Sequence, residues 1–339
     1  MSDEWRIYRN RNKSDGDHAD WSLIASPPWR QFGPLPENAD LIVQDPVKEF
    51  PAEFYYLATE KVIETINVAL RLRRPILVTG PPGTGKTSLA YSIAFELGLG
   101  PVLSWLITSR STLREGLYEY DALGRVNDMN LGDKTTAPAA PEADLRNAAS
   151  DIGRYITLGP LGDALLPRRR PRVLLIDEID KSDIDLPGDL LHVFERGWYE
   201  IPELIRERDQ MVRVRRANAP DVYVSGGRVA CHEFPVIVLT SNEEREFPPA
   251  FRRRCLQIDL KPPGKEDLIT IARKKLSADP DEDVIEKFIA ERGTEGRKLA
   301  TDQLLNVLYL RLSGQGLSDA DFSSLQRIVF ASLSEPAEG

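Results

Sequence analysis

The stretch Gly80-Pro81-Pro82-Gly83-Thr84-Gly85-Lys86-Thr87 constrains this chain more than any other. It fits G-x-x-x-x-G-K-[ST], the spacing of a phosphate-binding P-loop. The flanks fit too. Pro75-Ile76-Leu77-Val78-Thr79 in front reads as a short buried strand, and Thr87 to Leu97 behind as a helix closed by Gly98. Glycines let backbone N–H groups turn inward around a phosphate, where a Cβ would clash. The helix aims its unpaired donors and positive dipole end at the same anion. Lys86 is placed to reach the outer phosphates, and Thr87 to offer its hydroxyl to Mg²⁺. Gly80 through Ser88 is therefore the expected nucleotide-binding segment.

Arg172-Val173-Leu174-Leu175-Ile176-Asp177-Glu178 is the second informative stretch, an apolar strand ending in paired carboxylates. Asp177 fits the acid that holds Mg²⁺. Glu178 fits the residue that orients or deprotonates the attacking water. Phe234 to Asn242 is a third strand, and its polar tip Asn242 is placed to help position that water. Thr240-Ser241-Asn242-Glu243 lacks the N-K-x-D guanine reader of GTPases, so a GTPase is not expected. Pro248 to Cys255 is a short helical turn carrying Arg252, Arg253 and Arg254.

The 339 residues suffice for two modest domains, and 41% hydrophobic with 29% charged residues is ordinary for a globular chain. No apolar run approaches the roughly 20 residues that span a bilayer. Met1 to Arg6 carries early acids and no apolar signal core, so a cytoplasmic location is expected. Cys231 and Cys255 are too few for a disulfide framework and read as two half-buried thiols. A net charge of −9 argues against a nucleic-acid partner, although a local basic pore is compatible with that total.

Residues 1–52 read as an irregular arm that docks Trp5, Trp21 and Trp29 on the domain or on a neighbouring subunit. An α/β domain is expected over 53–261. Near its start, Tyr55-Tyr56-Leu57 either lines the adenine pocket, with Tyr56 at its centre, or packs in the core. A helix follows, with its apolar face at Val62, Ile63, Ile66, Ala69 and Leu70. Pro101 to Ile107 reads as another buried strand. Residues 127–150, polar and rich in Ala and Pro, read as a mobile surface insertion. Arg168-Arg169-Arg170 reads as a solvated loop edge. Residues 198–230 alternate as β-hairpin insertions carrying Arg206, Arg208, Arg213, Arg215, Arg216 and Arg228. From 262 to 339 the pattern is helical only, over about 265–276, 281–291, 300–312 and 319–332, which predicts a small all-α lid.

The P-loop, Asp177-Glu178, Asn242 and the Arg252–Arg254 turn stand in the order of an AAA+ ATPase. More narrowly, the chain resembles the MoxR-type branch. Thr108 to Thr112, Leu117 to Ala122, Ile176 to Ser182 and Phe247 to Cys255 carry that likeness, which covers roughly residues 55–310. The resemblance implies a five-stranded parallel sheet, a helical lid, ATP and Mg²⁺ as ligands, and a homo-oligomeric ring, usually a hexamer, with its sites between subunits. It also implies a chaperone-like remodeller of protein partners, often von Willebrand A-domain proteins, sometimes in bacterial conflict or defence systems. By position, Asn242 resembles sensor 1, and Arg253 and Arg254 the arginine finger, with Arg254 preferred. The family's sensor 2 Arg should open the third lid helix near Thr301. No Arg stands there, and Arg297 or Lys298 just before it would have to substitute. The rival readings are a nucleotide switch without turnover, which Glu178 and the arginine turn argue against, and a nucleic-acid-dependent motor, which the hairpin arginines favour.

Overall fold

The structure is a computed structural model that describes residues 5–12, 21, 24–35, 54–132, 151–205, 211–293, 299–313 and 318–331. In chain order the first half holds α1 (Glu60–Leu72), β1 (Ile76–Thr79), α2 (Lys86–Glu96), β2 (Leu103–Leu106), α3 (Leu113–Leu117), β3 (Tyr118–Tyr120), α4 (Ala122–Gly132), β4 (Ile156–Leu158), α5 (Pro160–Ala164) and β5 (Val173–Asp177). Next come α6 (Leu186–Arg196), β6 (Trp198–Glu200), α7 (Pro202–Ile205), β7 (Met211–Arg216), β8 (Ala219–Ser225), β9 (Arg228–Ala230), β10 (Val236–Ser241), α8 (Pro249–Arg254) and β11 (Leu256–Asp259). The chain then runs through α9 (Lys265–Leu276), α10 (Glu282–Arg292), α11 (Thr301–Ser313) and α12 (Asp319–Ala331).

The central sheet has five strands in the order β11-β1-β10-β5-β2. Every pairing in it is parallel, as expected. The period-2 alternation of its strands divides the core in two. Leu77, Leu174, Ile176, Ile237 and Leu239 face one layer, with α5 and α6. Ile76, Val78, Leu175 and Val238 face the other, with α1 and α2. The α1 stripe Val62, Ile63, Ile66, Ala69 and Leu70 is buried as its spacing predicts. β2 departs from the expectation of a buried strand. It is an edge strand, and Leu106 is 61% exposed.

The arm belongs to the domain: Tyr8 and Trp21 are buried in the same core as α1 and α2. Trp29 instead stays 75% exposed. Residues 127–132, assigned from composition to a mobile insertion, complete helix α4; residues 133–150 lie outside the described residues. In the 198–230 region β7 and β8 pair antiparallel and join β3 and β4 in a second sheet, while β6 pairs with β9. Arg206 and Arg208 lie outside the described residues. The expected loop edge at Arg168 is overturned, because Arg168 is buried against Asp163 of α5 at 2.6 Å. The four C-terminal helices close a separate core around Leu268, Phe288, Leu304 and Phe330. Among the described residues no helix is long and apolar enough to cross a membrane.

Candidate active site

β1, β5 and β10 are parallel neighbours, so their C-terminal ends share one edge of the sheet, where ligands bind in open α/β folds. From β1 the chain turns through Gly80–Gly85 into α2. Two of its glycines are required by their surroundings. At Gly83, with φ +76°, a Cβ would lie 2.4 Å from the Thr301 backbone nitrogen; at Gly85, with φ +86°, it would press on the Tyr56 ring at 3.1 Å. The loop tip is thus wedged between the lid and the Tyr55–Leu57 corner. Together they bound an open cleft of about 1060 Å³, lined by Tyr55 to Leu57, Pro82 to Ser88, Asp177, Glu178, Asn242 and the lid residues Thr301, Asp302 and Leu305.

Inside the cleft the predicted residues meet. The Lys86 ammonium donates to the carbonyls of Gly80 (2.7 Å) and Pro81 (2.9 Å) and to Asn242 Oδ1 (2.7 Å). Burial pushes its pKa below the ordinary lysine value, against the pull of the carboxylates of Asp180, Asp177, Glu178 and Glu243. Thr84 Oγ1 donates to the Pro81 carbonyl and braces the turn. Thr87 Oγ1 donates to Asp177 at 3.2 Å. A hydroxyl and a carboxylate at that separation are hard oxygen donors suited to Mg²⁺, whose remaining ligands would be phosphate and water. The N-terminus of α2, which opens at Lys86 directly after this glycine loop, and the Lys86 ammonium fit a nucleotide's phosphates.

The sequence did not mark two residues that organise this site. Thr240 Oγ1 donates to Asp177 Oδ1 at 2.5 Å and accepts from the Glu178 N–H at 2.9 Å. The β10–β5 register, with Leu239 opposite Ile176, carries Thr240 up beside Asp177. Asp180 is buried, and its Oδ2 accepts from the N–H groups of Asn242 (2.8 Å) and Glu244 (3.2 Å), fixing the loop that presents Asn242. Glu178 itself pairs with Lys181 at 2.7 Å.

Other expected residues lie elsewhere. Arg254 is ion-paired with Glu195 on α6. It and the exposed Arg253 lie outside the lining of this cleft. Arg297 and Lys298 lie outside the described residues. Cys231 and Cys255 are fully buried rather than half-buried, and burial pushes both thiols up to about 12.

Residues 76–262 match the family described as "ATPase family associated with various cellular activities (AAA)". The chain belongs to the AAA family. Its AAA domain therefore covers the sheet and the loops just described. Among curated proteins, the chain is 25% identical over 332 residues to Lon protease homolog 2, peroxisomal, of Arabidopsis thaliana, covering 92% of this chain and 30% of that one. It is 29% identical over 223 residues to the Holliday junction branch migration complex subunit RuvB of Anaeromyxobacter, covering 59% and 60%. To the Replication factor C large subunit of Pyrococcus horikoshii it is 23% identical over 186 residues, covering 51% and 31%. The chain thus spans 30% to 60% of the length of these relatives. Among solved structures, a Thermotoga maritima RuvB mutant aligns with a TM-score of 0.40 at 16% identity, over 84% of this chain and 73% of that one.

Proposed function

We propose that this AAA chain is an ATP hydrolase that remodels or activates a protein partner. In this reading it acts as a MoxR-like homo-oligomeric ring, a hexamer by the resemblance, with a von Willebrand A-domain protein in a bacterial conflict or defence setting as the partner class. The observation that carries turnover is the hydrogen-bonded line Thr87–Asp177–Thr240–Glu178, with Lys86 on Asn242 beside it. Mg²⁺-bound ATP supplies the phosphoanhydride whose cleavage drives the cycle. Thr87 and Asp177 would hold the metal. Lys86 supplies the charge for the outer phosphates. Glu178 accepts the proton of the attacking water, and Asn242 helps to orient that water. The packing of Thr301 on Gly83 supports coupling of the loop to the lid.

Steady-state phosphate release tests this reading against a switch without turnover. Lys86→Ala should abolish nucleotide binding, because the remaining carbonyls and Asn242 offer no positive charge. Wild-type ATP affinity in that variant would overturn the P-loop assignment.

A nucleic-acid-dependent motor is the second reading. The relatives named for Holliday junction branch migration and for Replication factor C favour it, so the expectation against a nucleic-acid partner lacks support. Phosphate release stimulated by duplex or branched DNA would decide for it.

A further inference from the structure

The Tyr55–Leu57 wall of the cleft has no sheet of its own to hold it. Residues 55–59 form no strand, yet Tyr56 is buried against the P-loop. What holds this segment is the arm at the start of the chain. The Asn10 side-chain amide accepts from the Ala58 N–H at 2.7 Å and donates to the Tyr56 carbonyl at 3.1 Å. A residue's carbonyl and the N–H two places on point to the same side of an extended chain, where a neighbouring strand would normally serve both. Asn10 serves both with one side-chain amide. Asn12 adds a second donor to the Tyr56 carbonyl at 2.8 Å.

The arm is itself fixed from both sides. The Asn67 amide on α1, fully buried, accepts from the Tyr8 N–H (3.0 Å) and donates to the Tyr8 carbonyl (2.7 Å). On α2, the Glu96 carboxylate accepts from the Arg11 N–H at 2.7 Å, and Ser92 is hydrogen-bonded to the Tyr8 hydroxyl at 2.8 Å. The wall is therefore tied to the P-loop helix through a segment lying more than forty residues earlier in the chain.

Resting on the ATPase reading, we propose that Asn10 and Asn12 are positioning residues for the nucleoside half of ATP. They hold Tyr56 where the base and ribose bind, and leave the phosphate cradle to the P-loop. The Tyr56 ring lies beside Gly85, where a Cβ would come within 3.1 Å of it. Lys86, Thr87 and Asp177 are held by bonds of their own, so a slackened wall should change the nucleoside end of the cleft and spare those three.

The test compares Mg²⁺–ATP with Mg²⁺–tripolyphosphate, which has the phosphates and lacks the nucleoside, by titration calorimetry on the full chain. Asn10 has φ +55° and Asn12 φ +50°, so glycine keeps each backbone unstrained while removing the amide. Asn10→Gly, which also removes the bonds of this amide to Tyr8 and Ser92, should weaken ATP binding about tenfold, the order expected for losing the two neutral hydrogen bonds that hold the wall. Tripolyphosphate affinity should stay within about twofold, as should kcat at saturating ATP. Asn12→Gly should weaken ATP by a smaller factor with the same selectivity, and it carries the test if Asn10→Gly does not fold. Unchanged ATP affinity in the folded variants, or equal losses for ATP and tripolyphosphate, would overturn the proposal. A wild-type chain that binds tripolyphosphate but not ATP overturns it together with the ATPase reading, whereas wild-type ATP binding with indifferent variants overturns it alone.

Discussion

Glu178 occupies the left-handed backbone region, with φ 60° and ψ 45°. An L residue with a Cβ pays roughly 1–2 kcal/mol there. Its N–H bond to Thr240 holds it in that conformation, at the residue next to Asp177. Strain of this kind persists where surrounding structure enforces it, often at working sites. Glu178→Gln keeps the shape and removes the base. Nucleotide binding should persist while phosphate release falls about 10²–10⁴-fold; an unchanged kcat would place the base elsewhere. The pair Asp177-Glu178 was legible because both residues end one apolar run. Thr240 and Asp180 were not, because their roles arise from strand register and a loop crossing that no local pattern encodes.

Among the elements, α5 and the second sheet are joined through one buried carboxylate. Asp163 on α5 accepts from Arg168 at 2.6 Å and from Arg216 on β7 at 2.5 Å, with all three side chains almost wholly buried. Burial works against the Asp163 charge, but Arg168, Arg216 and Arg172 outweigh it and hold its carboxyl below the usual range. Stability from such a group is present above its unfolded pKa and is lost as pH falls through the lowered folded value. Asp163→Ala leaves buried guanidiniums unpaired and should cost about 3–5 kcal/mol, read as a lower urea midpoint. A midpoint within error of wild type would show that the arginines find other acceptors. Sequence patterning located the hairpin and its buried alternation at Val212, Val214, Val222 and Val224. It placed the Arg168 run on the surface because a charge run carries no sign of a partner that follows from folding. The helical lid was readable almost to its ends, since each helix carries its own periodic apolar face.

For the whole molecule, the question is whether an active site is complete within one chain. Arg253 and Arg254 stand outside the cleft of their own chain. A guanidinium supplied by a neighbour suits a phosphoryl group, because its planar fork stays charged and contacts two oxygens. Such a finger is worth roughly 10³–10⁵ in rate in related systems. ATPase activity should then rise more than linearly with protein concentration. Arg254→Ala subunits, inactive alone, should regain partial turnover when mixed with Lys86→Ala subunits. Flat specific activity on dilution and no recovery on mixing would make Arg254 a local partner of Glu195 only. The Asn10 brace also bears on how portable this domain is. The family match begins at residue 76, whereas the cleft borrows Tyr56, the amide of Asn10 and the lid's Thr301 from beyond both ends of that match. A piece trimmed to 76–262 would keep Lys86, Asp177 and Glu178 and lose the walls that close the cleft around them, so domain boundaries drawn by homology would cut this chain through its cleft.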